Sequence, residues 1–147
     1  MENLIEVKSP IFSRNSLIYL GIIGLVAFVI RFFYFPDGIP VSFDAYTYFW
    51  YANDLSLSGN FPTDVFGVKI ANNGWPTFLS IFFYLFNSDN FFHYMDLQRY
   101  VTIVISVITI IPVFVLCRKF CGSGLSLLGT IFFVFQPRII ENSLLGI

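Results

Sequence analysis

Charge is scarce in this sequence: Asp, Glu, Lys and Arg make up 12% of the 147 residues, against 56% hydrophobic residues. Soluble domains carry roughly 25% charged residues to face water, and here twenty phenylalanines would have nothing to cover them. A water-soluble monomer is excluded. Lys and Arg number 8 against 9 Asp and Glu, so there is no basic excess to neutralise a polyanion, and nucleic acid is excluded as a partner. Histidine occurs once, at His93, which leaves a zinc site without a ligand cluster. Cysteine occurs twice, and Cys117 and Cys121 flank the Arg118-Lys119 pair; both are expected to be free thiols. No Gly-rich phosphate loop, nucleophile elbow or Cys-x-x-Cys pair is present.

What the chain has is apolar runs. Leu17 to Phe35 is long enough to cross a hydrocarbon core that needs about 20 residues, and only Arg31 interrupts it. The bulky Phe32-Phe33-Tyr34-Phe35 offers no small-residue cleavage site, so the run reads as an uncleaved anchor. Tyr100 to Cys117 is a second uncharged run, with Pro112 as its expected kink. A third extends over 122–137. The apolar stretch Thr77 to Phe86 is shorter, nearer the length of an interfacial or re-entrant segment.

The charges are segregated. All six aspartates fall between Asp37 and Asp96, opposed there only by Lys69, whereas Lys8, Arg14, Arg118 and Lys119 flank the apolar runs. With three spans (17–35, 100–117 and 122–137) these basic groups share the cytoplasmic side and the aspartate-rich stretch lies outside, as the positive-inside rule asks. A fourth span over 77–86 would put Arg118 and Lys119 outside. The expected fold is therefore an all-α, multi-pass protein of the cell membrane, one membrane domain over 1–147 with its N-terminus cytoplasmic. Its external segment, 36–97, is too long for a simple connector. Within it Ser42 can cap a helix with Asp44 in the first turn, and Gly59 and Pro62 can stop it. Asp44, Tyr48, Tyr51 and Leu55 recur at helical spacing, with Phe49 and Trp50 on other faces, a pattern expected of a helix at a membrane interface.

From Arg31 onward the string RFFYFPDGIPVSFDAYTYFWYANDLSLSGNFP, then NGWPTFLSIFF, IPVFVLCRKF and FQPRIIENSLLGI, resembles the amino-terminal region of the GT-C membrane glycosyltransferases. That superfamily includes the oligosaccharyltransferase catalytic subunits and the dolichyl-phosphate-mannose protein mannosyltransferases. The order of these weak motifs carries the resemblance, which covers roughly residues 16–147 and only the opening part of such an enzyme. It implies sugar transfer from a polyprenyl-phosphate-linked donor on the outer membrane face. It also implies a loop aspartate, matched by Asp44, that holds a divalent cation (Mg²⁺ or Mn²⁺) or serves as base or orienting group for the acceptor. The family's second acidic site follows the third helix and would begin at about Leu145-Gly146-Ile147; Glu141, the acidic residue nearby, is the candidate to stand in for it as a second catalytic carboxylate.

Each candidate residue also has a plain structural reading. Asp44 can be a helix-capping carboxylate. Arg31 and Arg138 can snorkel to the interface, or face a lipid phosphate as substrate-binding cations. The chain as a whole can be a non-catalytic membrane subunit, or a truncated module that packs against further transmembrane helices or a partner subunit. The orientation has a direct check. In a background lacking Cys117 and Cys121, an impermeant thiol reagent is expected to label a cysteine at Thr63 from outside and to leave one at Ser123 unlabelled; the reverse pattern contradicts the three-span arrangement.

Overall fold

The computed structural model describes residues 12–60, 74–86 and 88–147, and the regular structure among them is entirely helical. Helix α1 (Arg14–Phe33) begins at Ser13, whose hydroxyl accepts the Ser16 N–H at 3.1 Å. Its buried positions are Ser16, Leu20, Gly24, Ala27 and Arg31, a stripe of helical period with small residues at its centre. A Cβ on Gly24 would lie 3.1 Å from Ile110 Cδ1. Close approach of α1 to its neighbour is what this glycine permits.

The second apolar run belongs to a helix that begins already at Phe91, capped by the Asn90 side chain. It continues to Arg118 with one break at Thr109, dividing it into α4 (Phe91–Ile108) and α5 (Ile110–Arg118). Pro112 explains the break: it has no N–H to give the Ile108 carbonyl, and its ring crowds that group. α1 and the combined 91–118 helix are each long and apolar enough to cross a membrane. The third run differs from a straight span over 122–137. Helix α6 (Ser123–Val134) has 12 residues, about 18 Å of rise, and Pro137 then starts α7 (Pro137–Leu145) at an angle of 48°. Proline is preorganised for a first helical position and cannot continue a helix through itself. Among the described residues there are thus two such helices, or three when the broken pair α6–α7 counts as one.

Between α1 and α4 lie α2 (Phe43–Ser58) and α3 (Gly74–Leu85). The α2 boundaries follow from local chemistry: Ser42 accepts the Ala45 N–H, and Gly59 closes the helix at φ +68°, a conformation glycine adopts at little cost. Pro62 and Lys69 lie outside the described residues. Helix α3 covers the ambiguous run, and at 12 residues it is shorter than the ~30 Å hydrocarbon core requires. It packs against α2 instead. Phe49, expected on an interfacial face, is fully buried between α2, α3 and α4, where Ala45, Ala52, Leu79, Phe83 and Met95 surround it. The spacing of Asp44 and Tyr48 hid this, because the buried face of α2 is built on Ala45, Phe49 and Ala52, at i, i+4 and i+7, with Tyr51 and Asn53 buried beside them.

A second apolar core lies between α1, α4–α5 and α6, built on Ala27, Ile110 and Val134. Ser16 Oγ meets Ser123 Oγ at 2.9 Å, so α1 and α6 start at the same end and run parallel, with α4–α5 returning between them. Arg14, Arg118 and Lys119 therefore share one end of the bundle, while Asp37 and Asp96 lie at the other. Phe49→Ala is expected to cost about 3–5 kcal/mol through the cavity it leaves, whereas Leu25→Ala on the 64% exposed flank of α1 should change stability little. Thermal unfolding in detergent measures both.

Candidate functional site

Between the two apolar cores the structure places a layer of buried polar side chains. Arg31 is completely buried. Its guanidinium bends back along α1 to the Ala27 carbonyl at 3.1 Å, and also donates to Val134 O at 3.1 Å, Ser143 Oγ at 3.1 Å and Ser106 Oγ at 3.2 Å. It does not snorkel outward, nor does it reach an aspartate. The Val134 carbonyl needs this partner because α6 ends there: Pro137 has interrupted the ladder that would otherwise satisfy it. Arg31 thus joins α1, α4, α6 and α7 at one point.

Arg99 performs the same service nearer the acidic end. Its guanidinium donates to Pro40 O at 2.8 Å, Leu144 O at 3.0 Å and Pro36 O at 3.3 Å, and pairs with Asp96 Oδ1 at 3.0 Å. Pro36 and Pro40 belong to the extended connection between α1 and α2, where no helix ladder is available to their carbonyls. Gln98, also completely buried, donates from Nε2 to Ala45 O at 3.1 Å and to Gly146 O at 2.8 Å. Gly146 closes α7 at φ +83°, and a Cβ there would sit 3.5 Å from Gln98 and Val41. The first turn of α2 and the end of α7 are therefore held together by one amide.

Asp44 is exposed on that first turn of α2. Arg138 and Glu141 are exposed on α7, and no hydrogen bond or ion pair among the described residues joins them to each other or to Asp44. Arg31 is separate from all three. Hard divalent cations take six or more oxygen ligands, and among the described residues no three His, Cys, Asp or Glu side chains come together to hold one. Asp44 alone does not fit a Mg²⁺ or Mn²⁺ site. A cleft of about 260 Å³ opens at the same end, lined by Asp37, Phe86, His93, Asp96, Leu97 and Tyr100. His93 sits in the first turn of α4 with Nδ1 2.8 Å from Ser88 Oγ. Cys117 and Cys121 are free thiols.

No protein-family model, curated protein or solved structure matches the chain.

Sequence reasoning passed over Gln98, Arg99, Asp96, Ser106 and Ser143. Asp96 and Arg99, at i and i+3 ahead of an apolar run, carried a signal of paired charges on one helix face; Gln98 and the serines carried none. Removing Arg99 strands the buried Asp96 carboxylate and three carbonyls, so Arg99→Met is expected to destabilise by about 3–5 kcal/mol. Arg99→Met combined with Asp96→Leu should recover part of the loss. Unfolding of the two variants and the parent in one detergent gives the comparison.

Proposed function

We infer that this chain is the amino-terminal part of a GT-C-like membrane glycosyltransferase, with Asp44 at the outer membrane face, near a polyprenyl-phosphate-linked sugar donor. The observation that supports the reading is the Gln98 bridge. The family pattern puts one acidic residue at the start of the loop helix and a second after the third membrane segment. Ala45 and Gly146, which mark those two places in this chain, share the Gln98 amide at 3.1 and 2.8 Å. Two regions about a hundred residues apart in sequence meet at one end of the bundle, as a shared site requires.

In this reading the glycosidic bond between the sugar and the donor phosphate breaks as a bond from the sugar carbon to the acceptor nucleophile forms. The bonding electrons leave with the polyprenyl phosphate. Asp44 orients the nucleophile and accepts its proton, a role a carboxylate fills without a metal ligand beside it. Arg99 holds the Pro36 and Pro40 carbonyls, so the short connection from α1 fixes where Asp44 stands. Arg138 and Glu141, both exposed on α7, are secondary candidates for contacts with the donor and acceptor.

The test is Asp44→Asn in the intact protein in its native membrane. Transfer of labelled sugar from the lipid-linked pool should fall about 100-fold or more, the scale of losing a preorganised catalytic group. Stability should change by about 1 kcal/mol or less, the worth of a helix cap. Gln98→Leu, which removes the bridge and leaves Asp44 intact, should also lower transfer. Unchanged transfer in Asp44→Asn leaves a non-catalytic membrane subunit as the reading.

A further inference from the structure

Asn53 lies on the inner side of α2 and is only 7% exposed. Its main-chain carbonyl accepts the Ser56 hydroxyl at 2.7 Å, but among the described residues nothing bonds to its side-chain amide. A buried amide is costly to leave unpaired. It borders a cavity of about 160 Å³ between the second half of α2 and the start of α4, walled also by Leu57, Ser88, Asp89, Phe91 and Tyr94. The other polar atoms on those walls can be accounted for one by one. Tyr94 gives its hydroxyl hydrogen to Phe86 O at 2.9 Å and accepts the Ser88 N–H at 3.3 Å. Ser88 Oγ meets His93 Nδ1 at 2.8 Å and accepts the Asn90 N–H at 3.3 Å. Both hydroxyls are engaged. What remains is the Asn53 amide and the carboxylate of Asp89, which is exposed and has no ion-pair partner among the described residues. The flanking rings are fixed in advance: Phe91 lies 5.6 Å from Trp50 and 6.3 Å from Phe49, and Tyr94 lies 5.3 Å from Phe83 and 5.4 Å from Phe86.

One negative charge, one amide and two aromatic faces select the chemistry of what can enter. An anion is repelled by Asp89, and the α4 dipole, worth about half an elementary charge at its N-terminus, does not cancel a full one. A hard divalent cation takes six or more oxygen ligands, which one carboxylate and one amide do not supply. A neutral polyol could bond to Asn53 but would leave the carboxylate's charge unmatched. An ammonium group meets all the features together: it pairs with the carboxylate, donates to Asn53 Oδ1 and lies against the negative faces of the rings. A quaternary ammonium has no N–H for Asn53, so a primary one fits. The volume is below the roughly 300–1,000 Å³ of sites that enclose a drug-sized ligand. Only a compact head has room.

We propose that this cavity binds a compact primary ammonium, free or as the head of an ethanolamine lipid, with Asp89 as its counter-ion and Asn53 Oδ1 as its second acceptor. Both sources can reach it. The helix over 91–118 has 28 residues, about 42 Å of rise against a hydrocarbon core of ~30 Å, and its apolar part is the later one. Its first turn therefore stands at the level of the headgroups, open to water and to lipid heads alike. The site does not depend on Asp44, on Arg31 or on sugar transfer, so its failure leaves the glycosyltransferase reading standing.

The experiment uses the full chain in phosphatidylcholine nanodiscs, titrated with ethanolamine, choline and ethylene glycol and followed by calorimetry. Ethanolamine should bind about tenfold or more tightly than either of the others, the scale of one charge-assisted hydrogen bond. Asp89→Asn and Asn53→Leu should each weaken it about tenfold on the same grounds, while Asp54→Asn, an exposed acid outside the cavity, should leave it unchanged. Equal binding of ethylene glycol takes the charge out of the argument, and equal binding of choline takes out the N–H; either overturns the proposal. The source is read by native mass spectrometry of discs that hold phosphatidylethanolamine and phosphatidylcholine in equal amounts. Retention of phosphatidylethanolamine that is lost in Asp89→Asn assigns the site to the lipid head, and ethanolamine binding without such retention assigns it to a free amine. Absence of both refutes the site. Should Asn53→Leu fail to fold, the exposed Asp89 decides alone: unchanged ethanolamine affinity in Asp89→Asn refutes it.

Discussion

Each place where the backbone leaves a helix exposes carbonyls that no ladder satisfies, and the molecule's architecture turns on how those carbonyls are paired. In lipid an unpaired polar group costs several kcal/mol, because no water can replace the missing donor. This chain breaks its backbone order at Pro36 and Pro40, at Val134 before Pro137, and at Leu144 and Gly146. Each of those carbonyls receives a hydrogen bond from Arg31, Gln98 or Arg99. Three long side chains, all but fully buried, therefore do for the breaks what the i to i−4 ladder does for the helices. Without them the bend at Pro137 and the turn from α1 into α2 would have to open to solvent or straighten.

The same donors explain why the two apolar cores keep a fixed relation. One core lies among α2, α3 and the start of α4, the other among α1, α4–α5 and α6. Apolar contacts are non-directional, so two greasy clusters could slide past one another at little cost. Arg31 ties α1 to α6 and α7, and Arg99 ties α4 to the α1–α2 connection and to α7. Planar guanidinium donors accept only a narrow range of geometries, which sets the register that packing leaves loose.

What the sequence disclosed follows the locality of each cause. The bounds of α2 could be read from Ser42 and Gly59 because capping involves neighbours three or four residues away. The break at Thr109, just ahead of Pro112, could be read for the same reason. The bend at Pro137 was harder: an apolar run reaching a proline looks like the end of a span, and its continuation as α7 depends on Leu144 and Ser143 finding Arg99 and Arg31. The direction of the Arg31 side chain was not legible at all. An arginine near the end of an apolar helix has two stations, outward to the interface or inward to orphaned carbonyls, and the choice rests on a break about a hundred residues downstream. Asp44 was singled out from sequence, and its exposure on the first turn of α2 agrees with the capping register. The amide that sets Ala45 beside Gly146 comes from Gln98, a neutral residue whose neighbours in sequence gave no hint of its reach.

Arg31 and Arg99 resemble one another in their bonding and differ in their charge balance. Arg99 has the Asp96 carboxylate at 3.0 Å, so its positive charge is matched where it stands, and its remaining donors are given to the backbone. Its task is complete without a further partner. Arg31 has carbonyls and hydroxyls around it, whose dipoles solvate the charge without cancelling it. A guanidinium cannot shed its proton to relieve the imbalance. The cation is also fixed in place by four bonds, which join α1, α4, α6 and α7 at one point. A neutral amide closes carbonyls too, as Gln98 does for two of them, but it has two hydrogens to give where Arg31 makes four donations, and the Gln98 Oε1 is left buried without a partner. The protein uses both solutions in one layer, the charged one joining α1, α4, α6 and α7 and the neutral one joining α4 to α2 and to the end of α7.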